Sequence, residues 1–115
     1  MNYKAIIQLM SGDAAVIKST ASQINNLLKA LNDQVEIELV CHGQSLSFVT
    51  NKDDQWTQVI SQLLLKNVVI AACENMLNAN EKTIADLFPG LQTVPAAIAE
   101  LVIKQQEGWS YIKAG

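Results

Sequence analysis

Two periods of hydrophobic and polar positions take turns along the chain, and each change of period outlines an element. Tyr3–Met10 reads as a short strand, and its apolar part, Ala5–Met10, is broken by Gln8. Ser11-Gly12-Asp13 then makes a turn, with Ser11 or Asp13 available to cap a helix. Apolar residues recur at Ile17, Ala21, Ile24, Leu28 and Leu31, a helical period that Asn32-Asp33 ends. In Val35–Cys41 the residues Val35, Ile37 and Leu39 alternate with Glu36 and Glu38. That pattern predicts a strand with one wetter face, near a sheet edge, with both glutamates on the solvated side. His42-Gly43-Gln44-Ser45 is a loop, and Leu46–Val49 is a short apolar segment of no clear period.

The second half repeats the alternation. Trp56, Val59, Ile60, Leu63 and Leu64 form a helical stripe, with Asn67 at the C-cap. Val68–Cys73 is uninterrupted apolar sequence, as expected of an interior parallel strand covered on both faces. Glu74 opens a helix through Leu77 or as far as Asn80, and Lys82–Phe88 predicts a second helical piece. Pro89-Gly90 turns the chain into the short strand Leu91–Val94. Pro95 suits the first turn of the following helix, whose buried face is expected to hold Ala97, Ile98, Leu101 and Val102. Gly108 closes that helix, and Trp109–Lys113 is a last strand. Strand and helix alternate throughout. The prediction is one α/β domain over residues 1–115: a three-layer α/β/α sandwich on a five-stranded, mostly parallel sheet with right-handed crossovers.

Composition adjusts this picture. Half of the residues are hydrophobic and 17% are charged, against about 25% in ordinary soluble domains. A two-sided sheet absorbs part of that excess, and burial between subunits absorbs more. Leu46, Phe48, Leu87, Phe88 and Trp109 fall in or beside loops, where an isolated chain would leave several of them wet. The net charge is −3, no basic run occurs and all eight cations are lysines. Without arginine no bidentate reader of phosphate or guanine is available, which argues against nucleic-acid binding. No apolar stretch reaches the ~20 residues of a membrane span, and Ala5–Met10 is too short for a signal-peptide core. A cytoplasmic protein with reduced thiols is the expectation.

Ligands of open parallel sheets bind beyond the carboxyl ends of the strands. Four loops reach that edge: Ser11-Gly12-Asp13, Cys41-His42-Gly43-Gln44, Cys73-Glu74-Asn75 and Thr93-Val94-Pro95. Both cysteines and the only histidine lie among them. Cys73 stands between a strand and a helix start, where free N–H groups favour a thiolate, although Glu74 opposes it. Cys73 as a small buried hydrophobe accounts for its position equally well. His42 suits acid–base work or ligand orientation, and equally a loop histidine bonded to backbone. Cys41 and His42 are neighbours on a strand and point to opposite faces, so adjacency does not pair them. The cysteines and histidine lack close ligand spacing, so no metal is expected. No dinucleotide loop, phosphate loop or serine elbow occurs.

Three segments resemble the DsrE/DsrF-like family, in particular its small stand-alone members. They are Val-Glu-Ile-Glu-Leu-Val-Cys-His-Gly at 35–43, Val-Val-Ile-Ala-Ala-Cys-Glu-Asn-Met-Leu at 68–77, and the stretch from Val-Pro to Gly-Trp-Ser-Tyr-Ile at 94–112. The resemblance implies a flavodoxin-like fold and assembly into homotrimers or hexamers. It also implies a sulfur-relay role, with a cysteine at the position of Cys73 carrying sulfur as a persulfide. The candidate catalytic residues are then Cys73 and His42, and the candidate ligand-binding residues are Gly43, Glu74, Asn75, Ser11 and Gly12. His42 and the helix amides after Cys73 are expected to stabilise anionic sulfur. If the protein catalyses a reaction, it is a sulfurtransferase-like carrier that needs no cofactor and exchanges sulfur with a donor or acceptor protein. The alternatives are a small-ligand module for an anion or nucleotide, and an oligomeric interaction protein whose cysteine is incidental.

Overall fold

A computed structural model describes residues 2–50 and 54–115. Its strands are β1 (Tyr3–Leu9), β2 (Val35–Cys41), β3 (Val69–Cys73), β4 (Gln92–Val94) and β5 (Ser110–Lys113). Its helices are α1 (Ala14–Ala30), α2 (Leu46–Thr50), α3 (Thr57–Leu65), α4 (Glu74–Ala79) and α5 (Ala97–Gln106). Asp13 caps α1 by accepting from the Ala15 amide at 2.8 Å. Asn32 and Asp33 end it with φ of 51° and 61°. These residue types tolerate the left-handed region better than most. Asn67, at φ 64°, ends the α3 turn in the same way.

The strands form one sheet in the order β4-β3-β2-β1-β5, and every adjacent pair is parallel. The three-layer architecture is flavodoxin-like, with its own strand order. From β1 to β4 each crossover steps one strand in the same direction, and β4 to β5 then returns across the whole sheet. Right-handed crossovers therefore send α5 to the face opposite the earlier helices. Side-chain contacts agree. Ile7 shares a hollow with Thr20 and Leu27 of α1, whereas Lys104 of α5 reaches Glu38, 3.8 Å away. Since side chains alternate along a strand, Leu9 and Cys41 face the α1 layer. Gln8, Glu38, Val40, Ala71 and Cys73 face the α5 layer.

Several expectations need correction. β2 is the middle strand, not an edge strand, and Glu38 is buried at 5% exposure while Glu36 is exposed. Glu36 precedes the part of the sheet that α5 covers, whereas Glu38 lies beneath it. Lys82–Phe88 forms only a 3-10 turn at Ile84–Asp86, started by Thr83 donating its amide to Asp86 at 2.8 Å. Pro95 lies ahead of the α5 cap, Ala96, and not in the first helical turn. Ala97 and Leu101 face the sheet from α5, but Ile98 and Val102 point outward. Phe48, Leu87 and Phe88 are buried within the chain, and Leu46 and Trp109 are half-buried. Exposed apolar residues lie instead on α5, at Ile98, Val102 and Ile103, and on the same side of β5, at Tyr111; Ile112 faces the α1 side, and Tyr3, Met10, Leu65 and Ile84 are exposed elsewhere.

Candidate functional site

The connection after β3 and the connection after β4 leave toward opposite faces. A crevice therefore opens between these neighbours at their carboxyl ends, the place where parallel sheets bind ligands. A cleft of about 400 Å³ lies there, with His42, Gly43, Cys73, Asn75 and Asn80 among its polar lining and Met76 and Ile98 among its apolar lining. Among the described residues, no lysine, aspartate or glutamate lines it.

Cys73 ends β3 and is 6% exposed. Its Sγ accepts the backbone N–H of Ala97 at 3.4 Å. Ala97 is the first residue of α5, and the Ala96 cap offers no side-chain bond of its own. The sulfur thus meets the positive end of α5, the ten-residue helix, and not the α4 amides expected from sequence. Burial and an amide donor together hold the side chain in one place.

His42 follows β2 and reaches the same cleft because it continues the α5-facing parity of Val40. Its amide donates to the Leu9 carbonyl at 3.1 Å, and its own carbonyl accepts from the Ser45 hydroxyl at 2.8 Å. Gly43, at φ 62°, gives the turn a conformation that other residues resist. Burial lowers the His42 pKa from its ordinary value and favours the neutral ring. His42 Nε2 lies 2.8 Å from Nε2 of Gln8, whose Oε1 accepts from the Tyr111 hydroxyl.

The other expected site residues divide. Gly43 and Asn75 line the cleft with Cys73 and His42. Ser11 and Gly12 line a neighbouring hollow with Asp13, Gln44 and Ser47, and Gly43 lines both. Gly12 is dictated by close approach, because a Cβ there would stand 2.5 Å from the Gln44 carbonyl oxygen. Glu74 turns away, toward Leu77, Lys82 and Ile84. Sequence reasoning missed Gln8, Tyr111 and the Ala97 amide. An isolated amide inside an apolar strand was the available signal for Gln8.

Cys41 is fully buried on the opposite face, and burial drives its pKa strongly upward. Alkylation at neutral pH is therefore expected to modify Cys73 at least about tenfold faster than Cys41, since the thiolate is the reacting species. Competitive labelling with peptide mapping measures the ratio; equal rates refute it. Among the described residues, no group of three or more His, Cys, Asp and Glu side chains is placed to hold a metal ion. None of the described helices is long and apolar enough to cross a membrane.

Fold and site together define a parallel α/β protein with a thiol-bearing cleft at the point where its crossovers reverse. It is similar in structure to MTH1491 from Methanobacterium thermoautotrophicum, a protein of unknown function. The identity is 27% over 97% of this chain and 99% of that one, with a TM-score of 0.92. The ychN protein from E. coli has the same fold at 11% identity, a TM-score of 0.78, and coverage of 98% and 99% of the two chains. No protein-family model and no curated protein matches the chain.

Proposed function

We propose that the protein is a DsrE/DsrF-like intracellular sulfur carrier that binds sulfane sulfur on Cys73. The observation that carries this reading is the Cys73 sulfur, set in the wall of a strand-end cleft with the Ala97 amide donating to it. A helix-terminal amide is suited to stabilising negative charge on sulfur. The sequence resemblance supplies the chemistry.

In the loading step the Cys73 thiolate attacks the outer sulfur of a donor persulfide. A new S–S bond forms at Cys73, the donor S–S bond breaks, and the donor departs as a thiolate. The outer sulfur carries its hydrogen to Cys73, and the departing thiolate takes a proton from solvent. Attack by an acceptor thiolate on the outer sulfur reverses the sequence, with Cys73 as the leaving thiolate. The sulfur atom moves without net oxidation or reduction, and no cofactor is required. His42, Gly43 and Asn75 border the incoming sulfur. Ser11 and Gly12 line the adjoining hollow, which a donor or acceptor protein would meet first in this reading.

A nucleotide or phosphate ligand fits the cleft less well, since no cation among the described residues lines it. We also infer self-association through the exposed apolar surface of α5 and β5, as homotrimers or hexamers by resemblance.

Intact mass after incubation of the reduced protein with a sulfane-sulfur donor tests the carrier. Wild type should gain sulfur and Cys73→Ser should gain none. An adduct on Cys41 alone rejects the assignment to Cys73. No adduct with persulfide, polysulfide or thiosulfate donors rejects the carrier in favour of a binding module.

A further inference from the structure

Gln8 is a buried amide in an otherwise apolar strand, at 8% exposure. It bridges strands on both sides. Its Nε2 lies 2.8 Å from His42 Nε2 beyond β2, and its Oε1 accepts from Tyr111 of β5. An amide nitrogen is only a donor, so His42 Nε2 must be the acceptor and the ring proton belongs on Nδ1. We propose that Gln8 and Tyr111 are positioning residues that fix His42 as the neutral Nδ1–H tautomer, a hydrogen-bond donor for a ligand in the Cys73 cleft. The identity of that ligand as anionic sulfur rests on the carrier reading; the tautomer does not.

Tyr111 donates to Oε1, and the amide nitrogen faces His42. An imidazolium would set Nε2–H against the Gln8 NH₂, two donors facing each other at a partly buried position. Burial of the ring acts in the same direction. Among the described residues, the titratable side chains next to this chain include Tyr111 at its outer end, Cys73 in the shared cleft, and Lys113, the exposed register partner of Gln8 on β5. The α5 charges Glu100 and Lys104 lie toward Glu38. Among the described residues, no carboxylate side chain lines the cleft beside His42. The ring has a fixed proton to offer and is poorly suited to taking a second one. That arrangement suits orienting and stabilising sulfur, not general-base catalysis.

His42 is the only histidine in the chain, so its ring nitrogens can be read without ambiguity by ¹H–¹⁵N correlation across a pH titration. Wild type should show a protonated Nδ1 and a bare Nε2, with a midpoint below the usual value of about 6.5. Gln8→Glu replaces the donor with an acceptor. It should invert the tautomer to Nε2–H and raise the midpoint by about one unit or more. Tyr111→Phe, at a position 41% exposed, frees the amide to turn and should give a mixture of tautomers. An Nε2–H ring in wild type overturns the proposal, and so does a ring unchanged in both variants. Sulfur loading is measured separately. An Nδ1–H wild type that takes up no sulfur supports the positioning claim while rejecting the carrier.

Discussion

Stability should fall as the pH rises from about 5 through 8, and Glu38→Gln should remove most of that fall. Glu38 is buried on the central strand beneath α5, and its pKa is raised from 4.5 to about 8. Burial is the largest cause, followed by Glu100, while Lys104 pulls the other way. Lys104 is a weak counter-ion here, 3.8 Å from Oε1 and also 4.7 Å from the centroid of the Trp109 ring. As a carboxylate, Glu38 leaves Oε2 buried without a partner, whereas the protonated side chain has a hydrogen to share with Glu100. The folded state therefore binds a proton that the unfolded chain releases near pH 4.5. The resulting stabilisation is complete below that pH and is lost as pH climbs through the folded value. Each unit of displacement is worth about 1.4 kcal/mol, so the loss by pH 9 should reach a few kcal/mol. Glu38→Gln keeps the shape and stays neutral. It should match wild type near pH 5 and melt about 5–10 °C higher at pH 9. Denaturant or thermal unfolding across this range decides the matter. Parallel wild-type and Glu38→Gln curves would show that Glu38 is not held protonated.

The same residue shows where sequence reasoning stops. The alternation around Glu36 and Glu38 correctly marks a strand, because period is a local property. Whether a strand is central depends on its neighbours in the sheet, and nothing local records that order. Glu36 is exposed and Glu38 is buried on one face of one strand, so only the path of α5 separates them. By contrast, the interior character of β3 was legible, since an unbroken apolar run is comfortable only when both faces are covered. The outward stripe of α5 departs from the sequence pattern for a related reason. Ala97, Ile98, Leu101 and Val102 describe two adjacent stripes, and the pattern does not say which one the sheet takes.

The candidate site was legible as far as strand ends are. Cys73, His42, Gly43 and Asn75 come to one cleft because parallel strands end on one edge. Glu74 was placed there by sequence adjacency, yet one step into a helix turns a side chain by about 100°. Ser11 and Gly12 lie one strand further along the edge. The Tyr111–Gln8–His42 chain joins positions separated by 103 and 34 residues, and no local pattern encodes pairings of that range.

Wild-type protein at micromolar concentration should sediment at three or six times the chain mass, and Ile98→Asp with Val102→Asp should reduce it to a folded monomer. One helix, α5, covers its face of a five-stranded sheet. Its outward residues Ile98 and Val102, one turn apart, are 61% and 54% exposed; Ile103 on the same helix is exposed too, and Tyr111 extends the apolar surface onto the α5 side of β5. Contiguous apolar surface of this kind marks an interface, and closed symmetry buries the same patch on every subunit. The number three or six comes from the family resemblance alone. Both substitutions sit on the solvent side of a helix, so they should weaken association without opening the core. Ile98 also lines the Cys73 cleft. A subunit seated on α5 would then wall the cleft, and the dissociated variant should expose Cys73 to faster alkylation. A monomeric wild type rejects the prediction. A dimer keeps the apolar-surface argument and discards the inherited number. An oligomer unmoved by the paired substitutions excludes α5 as the contact.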